Sequence, residues 1–141
     1  MTLNDQFTGQ WQELLSLDKN ISVTAKQVLS GSEYVTHWGE RHTERAEALI
    51  SSGDINNTYD VDGYQKRLSS FLENVEDETV LQQKLRHFRQ REMVRIIWRD
   101  LASWSDLAET VRDLSAMADA CIQQSLELLH QWQCAELGTP C

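Results

Sequence analysis

Four cations recur at helical spacing near the middle of the chain, and they are the residues best placed for chemistry on an anion: Lys84, Arg91, Arg95 and Arg99. At about 100° per residue, they fall within about 80° of one another around a helix. Residues 93–98 around Arg95 are otherwise apolar, which is typical of an enclosed helix. A guanidinium keeps its proton in an apolar site, so Arg95 needs a partner. Arg91, Arg95 and Arg99 therefore predict either an ion pair with a buried carboxylate or contact with an external anion, such as nucleotide phosphate or an acidic loop.

Other residues with catalytic or metal-binding potential lack the spacing that such chemistry needs. Asp60 and Asp62 form a DxD pair, which binds two magnesium ions when it lies on a strand of a nucleotidyltransferase. Here the pair lies among Gly, Asn and Asp residues that predict a turn or helix cap. A calcium loop would place Thr58 first and Ser69 twelfth, where glutamate is required. The sequence has no HExxH, GxSxG or Gly-rich phosphate loop. We therefore predict no catalytic, cofactor-binding or metal-binding residue in this chain.

Charge is distributed unevenly along the 141 residues, whose net charge is −9. Residues 81–100 carry six Lys or Arg and two Asp or Glu, whereas the segments on either side are acidic. The net charge argues against nucleic acid as a partner. The basic segment is compatible with two interpretations: it neutralises its acidic neighbours, or it keeps a basic face for phosphate or a protein partner.

Features of membrane and secreted proteins are missing from the sequence. No apolar run approaches the roughly 20 residues of a membrane span, and no basic segment precedes an apolar stretch at the N-terminus. Cys121, Cys134 and Cys141 form no CxxC pair, and we interpret them as reduced thiols. We therefore expect a cytoplasmic protein with no membrane partner.

Helical spacing of apolar residues dominates the chain, and no alternating β-branched run indicates a strand. We predict an all-α fold, a bundle of about five to seven helices in a single module over residues 1–141. Short helices are predicted within residues 1–75, the first over about 3–17. Two long helices are predicted to follow, over about 77–103 and 106–136.

Glycine, serine and asparagine positions predict where these helices begin and end. Ser32 is expected to cap the third helix, and Gly39 is expected to end that helix. Residues 51–63 form the main predicted loop. Ser105 is the predicted N-cap of the last helix, and Gly138 suits the position after its C-terminus.

Mostly apolar residues on the last helix form a seam at alternating steps of four and three: Leu107, Val111, Leu114, Ala118, Cys121, Ser125, Leu128 and Trp132. Met117, Ile122, Leu126 and Leu129 widen this face. A face this wide favours a bundle core over a two-helix coiled coil. The seam and the residues that widen it make two adjacent apolar stripes on this helix. A small bundle can enclose one of these stripes, so we expect the other to be exposed and available to a partner.

Three stretches resemble the glutamine synthetase adenylyltransferase family. Residues 85–98, LRHFRQREMVRIIW, resemble the family's "LRxFRRRxMVRIxW" helix almost position for position. Residues 114–119, LSAMAD, and 138–141, GTPC, resemble the family's long helix and the motif that ends it. Residues 25–30 and 32–35 resemble "AKxVLxxSDFV" more weakly. The three stretches occur in the family's order.

The resemblance implies a much longer parent with two nucleotidyltransferase domains. The N-terminal domain removes adenylyl groups from glutamine synthetase by phosphorolysis, and the C-terminal one adds them from ATP with Mg²⁺. Glutamine synthetase and a PII signal protein are the implied partners. In the family, the Gly-rich turn and the metal-binding Asp pair follow the GTPC motif, where this chain ends at Cys141. No catalytic residue carries over, so we expect the nucleotidyltransferase domain to lie outside this chain, in a longer parent or in the lost part of a truncated gene.

Two functions are compatible with these features. The first is the helical N-terminal part of the parent enzyme, which supports the adenylyl-removing domain and packs against the rest of its own polypeptide without being catalytic itself. The alternative is a free-standing helical interaction module that self-associates as a homodimer through the seam over residues 107–132.

Overall fold

The structure, a computed structural model, describes the backbone of residues 9–138 and the side chains of residues 11–138. Within that range it contains seven α-helices and no strand, so the predicted all-α fold ending in two long helices is confirmed. The helices are α1 Gly9–Leu15, α2 Lys19–Gly31, α3 Glu33–Arg41, α4 Thr43–Ser52, α5 Gly63–Phe71, α6 Glu78–Leu101 and α7 Leu107–Leu137. A single 3₁₀ turn, Asp54–Asn56, follows α4. Part of the first predicted helix, over residues 3–8, lies outside the described residues.

Side-chain caps fix several helix starts. Ser32 Oγ accepts a hydrogen bond from the Val35 amide at 3.2 Å, which confirms Ser32 as the cap of α3. The predicted cap of α7 is wrong by one residue, because Asp106 Oδ1 accepts from the Glu109 amide at 2.8 Å. Ser105 instead hydrogen-bonds to Thr110 Oγ1. A carboxylate at this position also complements the positive end of the helix dipole.

Gly39 does not end the third helix, contrary to the sequence prediction. It lies within α3 and is buried. A Cβ atom at this position would lie 2.1 Å from Cζ2 of Trp11. Gly39 therefore allows the indole of Trp11 to pack directly on the α3 backbone, a close approach that only glycine permits.

The chain divides into two compact units. The first comprises residues 9–58 and 91–111, and its core is rich in aliphatic side chains around Trp11 and Trp98, whose ring centroids are 6.0 Å apart. The second comprises residues 59–90 and 112–138. In it, Phe71 packs edge-on against Phe88 at 5.3 Å. The prediction of a single module over residues 1–141 stays a prediction.

Burial on α7 is confined to a narrow face. Met117 and Ala120 are its buried residues. Much of the predicted apolar face is exposed instead: Leu107, Val111, Leu114, Ile122, Leu126 and Leu129. The spacing of the seam thus identified an apolar stripe, but the described residues do not cover it.

Two further findings concern the membrane and thiol predictions. No helix in the described part of the chain has both the length and the apolar character needed to cross a lipid bilayer. Cys121 carries a thiol that is not part of a disulfide, as predicted, and the reduced state of Cys134 stays a prediction. Cys141 lies outside the described residues.

Candidate functional site

Three of the four predicted cations converge on one segment of the chain. We call Arg91, Arg95 and Arg99 the arginine ladder. Their i, i+4, i+8 spacing places them on one face of α6, about 6 Å of helix rise apart. All three contact residues 54–57, the turn that contains the 3₁₀ segment. Lys84 is exposed and is not part of the ladder.

Arg95 is the central rung of the ladder and is fully buried. Its Nε donates to the backbone carbonyl oxygen of Asp54 at 3.0 Å, and its Nη2 donates to the carbonyl oxygen of Asn57. One guanidinium thus closes the turn from both ends. A turn leaves carbonyl groups without helical partners, and a planar fork of donors can satisfy two of them at once.

The outer rungs combine carbonyl and carboxylate acceptors. Arg91 Nη2 donates to Asp54 Oδ2 at 2.6 Å, and its Nη1 pairs with Glu92. Arg99 Nη1 donates to the carbonyl oxygen of Ile55 at 2.9 Å, and its Nη2 lies 3.3 Å from Glu109 Oε2. The guanidinium groups of Arg91 and Arg99 therefore contact carboxylates of this chain. The acceptors found for the central guanidinium, that of Arg95, are backbone carbonyl oxygens.

Two buried atoms of this cluster have no hydrogen-bond partner within residues 11–138: Glu92 Oε1 and Arg99 Nε. Glu92 is fully buried and Arg99 is nearly so. A buried, half-satisfied carboxylate is stabilised mainly by the cation beside it, here Arg91. Loss of Arg91 would therefore leave the buried Glu92 carboxylate underpaired.

The turn is also held from the start of α2, a contact that the sequence analysis missed. Asp18 caps α2 by accepting from the amides of Asn20 and Ile21 at 2.8 and 3.2 Å. Its second carboxylate oxygen accepts from Asn56 Nδ2 at 2.7 Å. Asp18 before a helical run is a recognisable cap signal, but nothing in the sequence indicates that Asn56 lies beside it.

A small polar cavity of about 370 Å³ adjoins this cluster, lined by Asn20, Asn56, Arg99 and Trp104. Most of its polar groups hydrogen-bond within the protein: Asn20 donates to Asn56 at 3.3 Å, and the two terminal nitrogens of Arg99 bind Ile55 and Glu109, which leaves Arg99 Nε without a partner among the described residues. The cavity therefore offers few uncommitted donors to a ligand.

The remaining sequence candidates do not come together as a site. Asp60 and Asp62 lie in an exposed turn before α5, where Lys66 is 4.0 Å from Asp60. Within the described range, no group of three or more His, Cys, Asp or Glu side chains is placed to hold a metal ion.

Burial, and to a lesser degree Arg45 and Arg41, lowers the pKa of His42.

The contacts found for the arginine ladder are with groups of its own chain. The ladder binds carbonyls and carboxylates of its own chain and fixes the turn 54–57 against α6. These contacts favour the internal-partner interpretation over the external-anion one.

Comparison with known proteins gives one family. The family model described as glutamate-ammonia ligase adenylyltransferase matches residues 23–141, which include the arginine ladder and the turn 54–57. No solved structure matches the chain significantly.

The curated relatives are bacterial proteins that share one name. The chain is 50% identical over 92 residues to the bifunctional glutamine synthetase adenylyltransferase/adenylyl-removing enzyme of Nitrosococcus oceani, covering 65% of this chain and 10% of the relative. It is 41% identical over 115 residues to the enzyme of the same name from Pseudomonas aeruginosa, covering 82% of this chain and 12% of the relative. It is 34% identical over 114 residues to the enzyme of the same name from Pseudomonas putida, covering 81% of this chain and 12% of the relative. The chain therefore spans only about a tenth of the length of these relatives.

Proposed function

The chain belongs to the glutamate-ammonia ligase adenylyltransferase family, and on that premise we propose that it is the N-terminal helical part of an enzyme that adenylylates and deadenylylates glutamine synthetase. In that enzyme it supports the adenylyl-removing domain and so takes part in nitrogen regulation. The observation that carries the proposal is the match over residues 23–141 together with the named relatives.

The contribution of this chain to the enzyme is mechanical. The arginine ladder joins α6, the 54–57 turn and, through Asn56, the start of α2 into one fixed unit. A rigid helical support holds a neighbouring catalytic domain in place. This matters for catalysis because positioning of the reacting groups on the ångström scale controls the rate of a transfer reaction. Adenylyl chemistry would lie in a nucleotidyltransferase domain outside this chain.

We propose that the parent's ligands bind outside this chain. ATP and Mg²⁺ need a phosphate cradle and oxygen ligands, and the proposal is supported by the lack, among the described residues, of three or more His, Cys, Asp or Glu side chains grouped to hold a metal ion. We place ATP and Mg²⁺, like contact with glutamine synthetase and a PII signal protein, with the whole cytoplasmic enzyme. The purified chain alone should release no ADP from adenylylated glutamine synthetase supplied with phosphate and Mg²⁺; phosphate-dependent release would overturn this assignment.

The second candidate function is a free-standing module that dimerises through α7. The observation in its favour is the exposure of Leu107, Val111, Ile122 and Leu126 on that helix. Exposed apolar faces mark contact with a partner, but a partner other than a second copy of this chain accounts for such a face equally well. Sedimentation equilibrium between micromolar and submillimolar concentration separates the two functions, since the free-standing module requires a concentration-dependent dimer.

A segment exchange tests the first function directly. In the Pseudomonas aeruginosa relative, the region matched by this chain is replaced with residues 23–141 of this chain, which are 41% identical to it over most of their length. We expect the exchange protein to keep adenylyl removal within about three-fold of the parent rate, a barrier change of under about 1 kcal/mol. An unrelated helical bundle of equal length is the control and should abolish removal. Equal loss of activity in both proteins would refute the proposed function.

A further inference from the structure

A groove in the second compact unit combines an apolar floor with a basic rim. It lies between the first half of α6 and the middle of α7 and encloses about 520 Å³. Leu85, Cys121, Ile122 and Leu126 supply its apolar surface, and Arg86 and Arg89 supply its charge. None of these residues belongs to the arginine ladder.

The apolar surface of the groove is open to solvent. Ile122 is 59% exposed and Leu126 is 62% exposed, although both are large aliphatic side chains in the middle of a long helix. Leu114 and Leu129 continue the same exposed face along α7. Single exposed leucines are ordinary, whereas a contiguous row beside a groove is typical of an interaction surface.

Arg86 and Arg89 differ from the arginines of the ladder on the same helix. Both are exposed, and neither has an ion-pair partner among the described residues. This is notable in a chain with 22 Asp and Glu residues and a net charge of −9. Uncommitted cations at the rim of an apolar groove select a partner of opposite charge.

We propose that this groove binds an amphipathic α-helix of another protein, with acidic residues flanking its apolar face. A groove between two helices accepts the apolar ridge of a third, which is the helix-in-groove mode of recognition. The face from Leu114 to Leu129 is about 22 Å long at 1.5 Å per residue, which matches about four turns of the bound helix. A second copy of this chain fits less well, because a two-fold contact would bring the same two arginines together from both sides.

Two synthetic peptides of about four helical turns test the proposal. Both carry leucines at i, i+3, i+4 and i+7; one has glutamates on the flanks of this face and its twin has lysines. Binding to the purified chain is measured by fluorescence anisotropy. We expect the glutamate peptide to bind about ten-fold more tightly than the lysine twin, because two rim charges change from attraction to repulsion.

Matched variants locate the binding site. Arg86→Glu combined with Arg89→Glu should reverse the preference between the peptides, whereas Arg112→Glu, an exposed site on α7 outside the groove, should leave it unchanged. Leu126→Ser should weaken binding about ten-fold, because it removes a side chain that the peptide buries. Val23→Ser, at a comparably exposed aliphatic side chain of α2, is its control.

Three results would overturn the proposal: equal binding of the two peptides, an unchanged preference in the double charge reversal, or full binding by Leu126→Ser. A dimer in sedimentation that the glutamate peptide fails to dissociate would also overturn it, since a second copy would then occupy the groove. Circular dichroism confirms that each variant is folded. The outcome is independent of the proposed enzyme function, which the segment exchange tests through adenylyl removal.

Discussion

Arg95→Met removes the central rung of the arginine ladder while keeping an unbranched side chain in the same space. Arg95 is fully buried, and its guanidinium donates to the carbonyl oxygens of Asp54 and Asn57. Methionine fills much of the volume but offers no donor. Both carbonyls therefore lose a charged partner.

The magnitude follows from these contacts. Hydrogen bonds to charged groups contribute about 1.5–3 kcal/mol each, so the two that Arg95 donates sum to about 3–6 kcal/mol. Methionine recovers part of the packing, so we expect the free energy of unfolding to fall by about 3–5 kcal/mol rather than by the full sum. Domains of this kind have about 5–15 kcal/mol of stability, so the variant should fold and be measurable.

Urea denaturation followed by tryptophan fluorescence reports this loss. Trp98 lies three residues after Arg95 on α6 and packs against Trp11 at 6.0 Å, so its emission follows the unit that contains the ladder. Arg89→Met is the matched control, because Arg89 is an exposed arginine of the same helix without an ion pair among the described residues. It should change stability by less than about 0.5 kcal/mol. Equal midpoint shifts in the two variants would refute the account of the ladder.

Three other changes test the surrounding structure. Asp18→Ala should lower the free energy of unfolding by about 2 kcal/mol in urea titration, because it removes the α2 cap and the bond to Asn56; a change below about 0.5 kcal/mol would contradict it. Gly39→Ala should destabilise by about 1–3 kcal/mol and alter tryptophan emission, since the new Cβ would lie 2.1 Å from the Trp11 ring; wild-type values of both would mean that this packing is wrong. Because the pKa of His42 is lowered in the folded protein, the unfolded chain binds more protons at His42 than the folded chain does between the folded pKa and 6.5. The free energy of unfolding therefore falls as pH drops through that window. His42→Gln should reduce this part of the slope of stability against pH, and an unchanged slope would contradict the assignment.

Periodicity predicted the helices well where packing follows from sequence. The two long helices at the end were placed within about two residues, as is usual for helix boundaries. Gly39 was misread because glycine is a helix breaker in isolation, whereas here the packing of Trp11 requires it within α3. Tertiary packing overrode local propensity at this position.

The candidate site was predictable only in part. Helical spacing and the charge of the guanidinium identified Arg91, Arg95 and Arg99 as a set that needs partners. The partners could not be deduced, because the backbone carbonyls of Asp54, Ile55 and Asn57 carry no sequence signal. Exposure of the apolar face on α7 was anticipated, but the basic rim of the groove depends on which arginines find internal partners.

The most direct test of the central claim compares two rates in the exchange protein, with and without Arg95→Met. The two rates are those of adenylyl removal and adenylyl transfer. The claim is that this ladder-held helical part supports the adenylyl-removing domain of its enzyme. We predict that Arg95→Met lowers the rate of removal from glutamine synthetase at least about ten-fold, equivalent to about 1.4 kcal/mol, and leaves transfer nearly unchanged. Unchanged rates of both reactions, or an equal fall in both, would contradict the account.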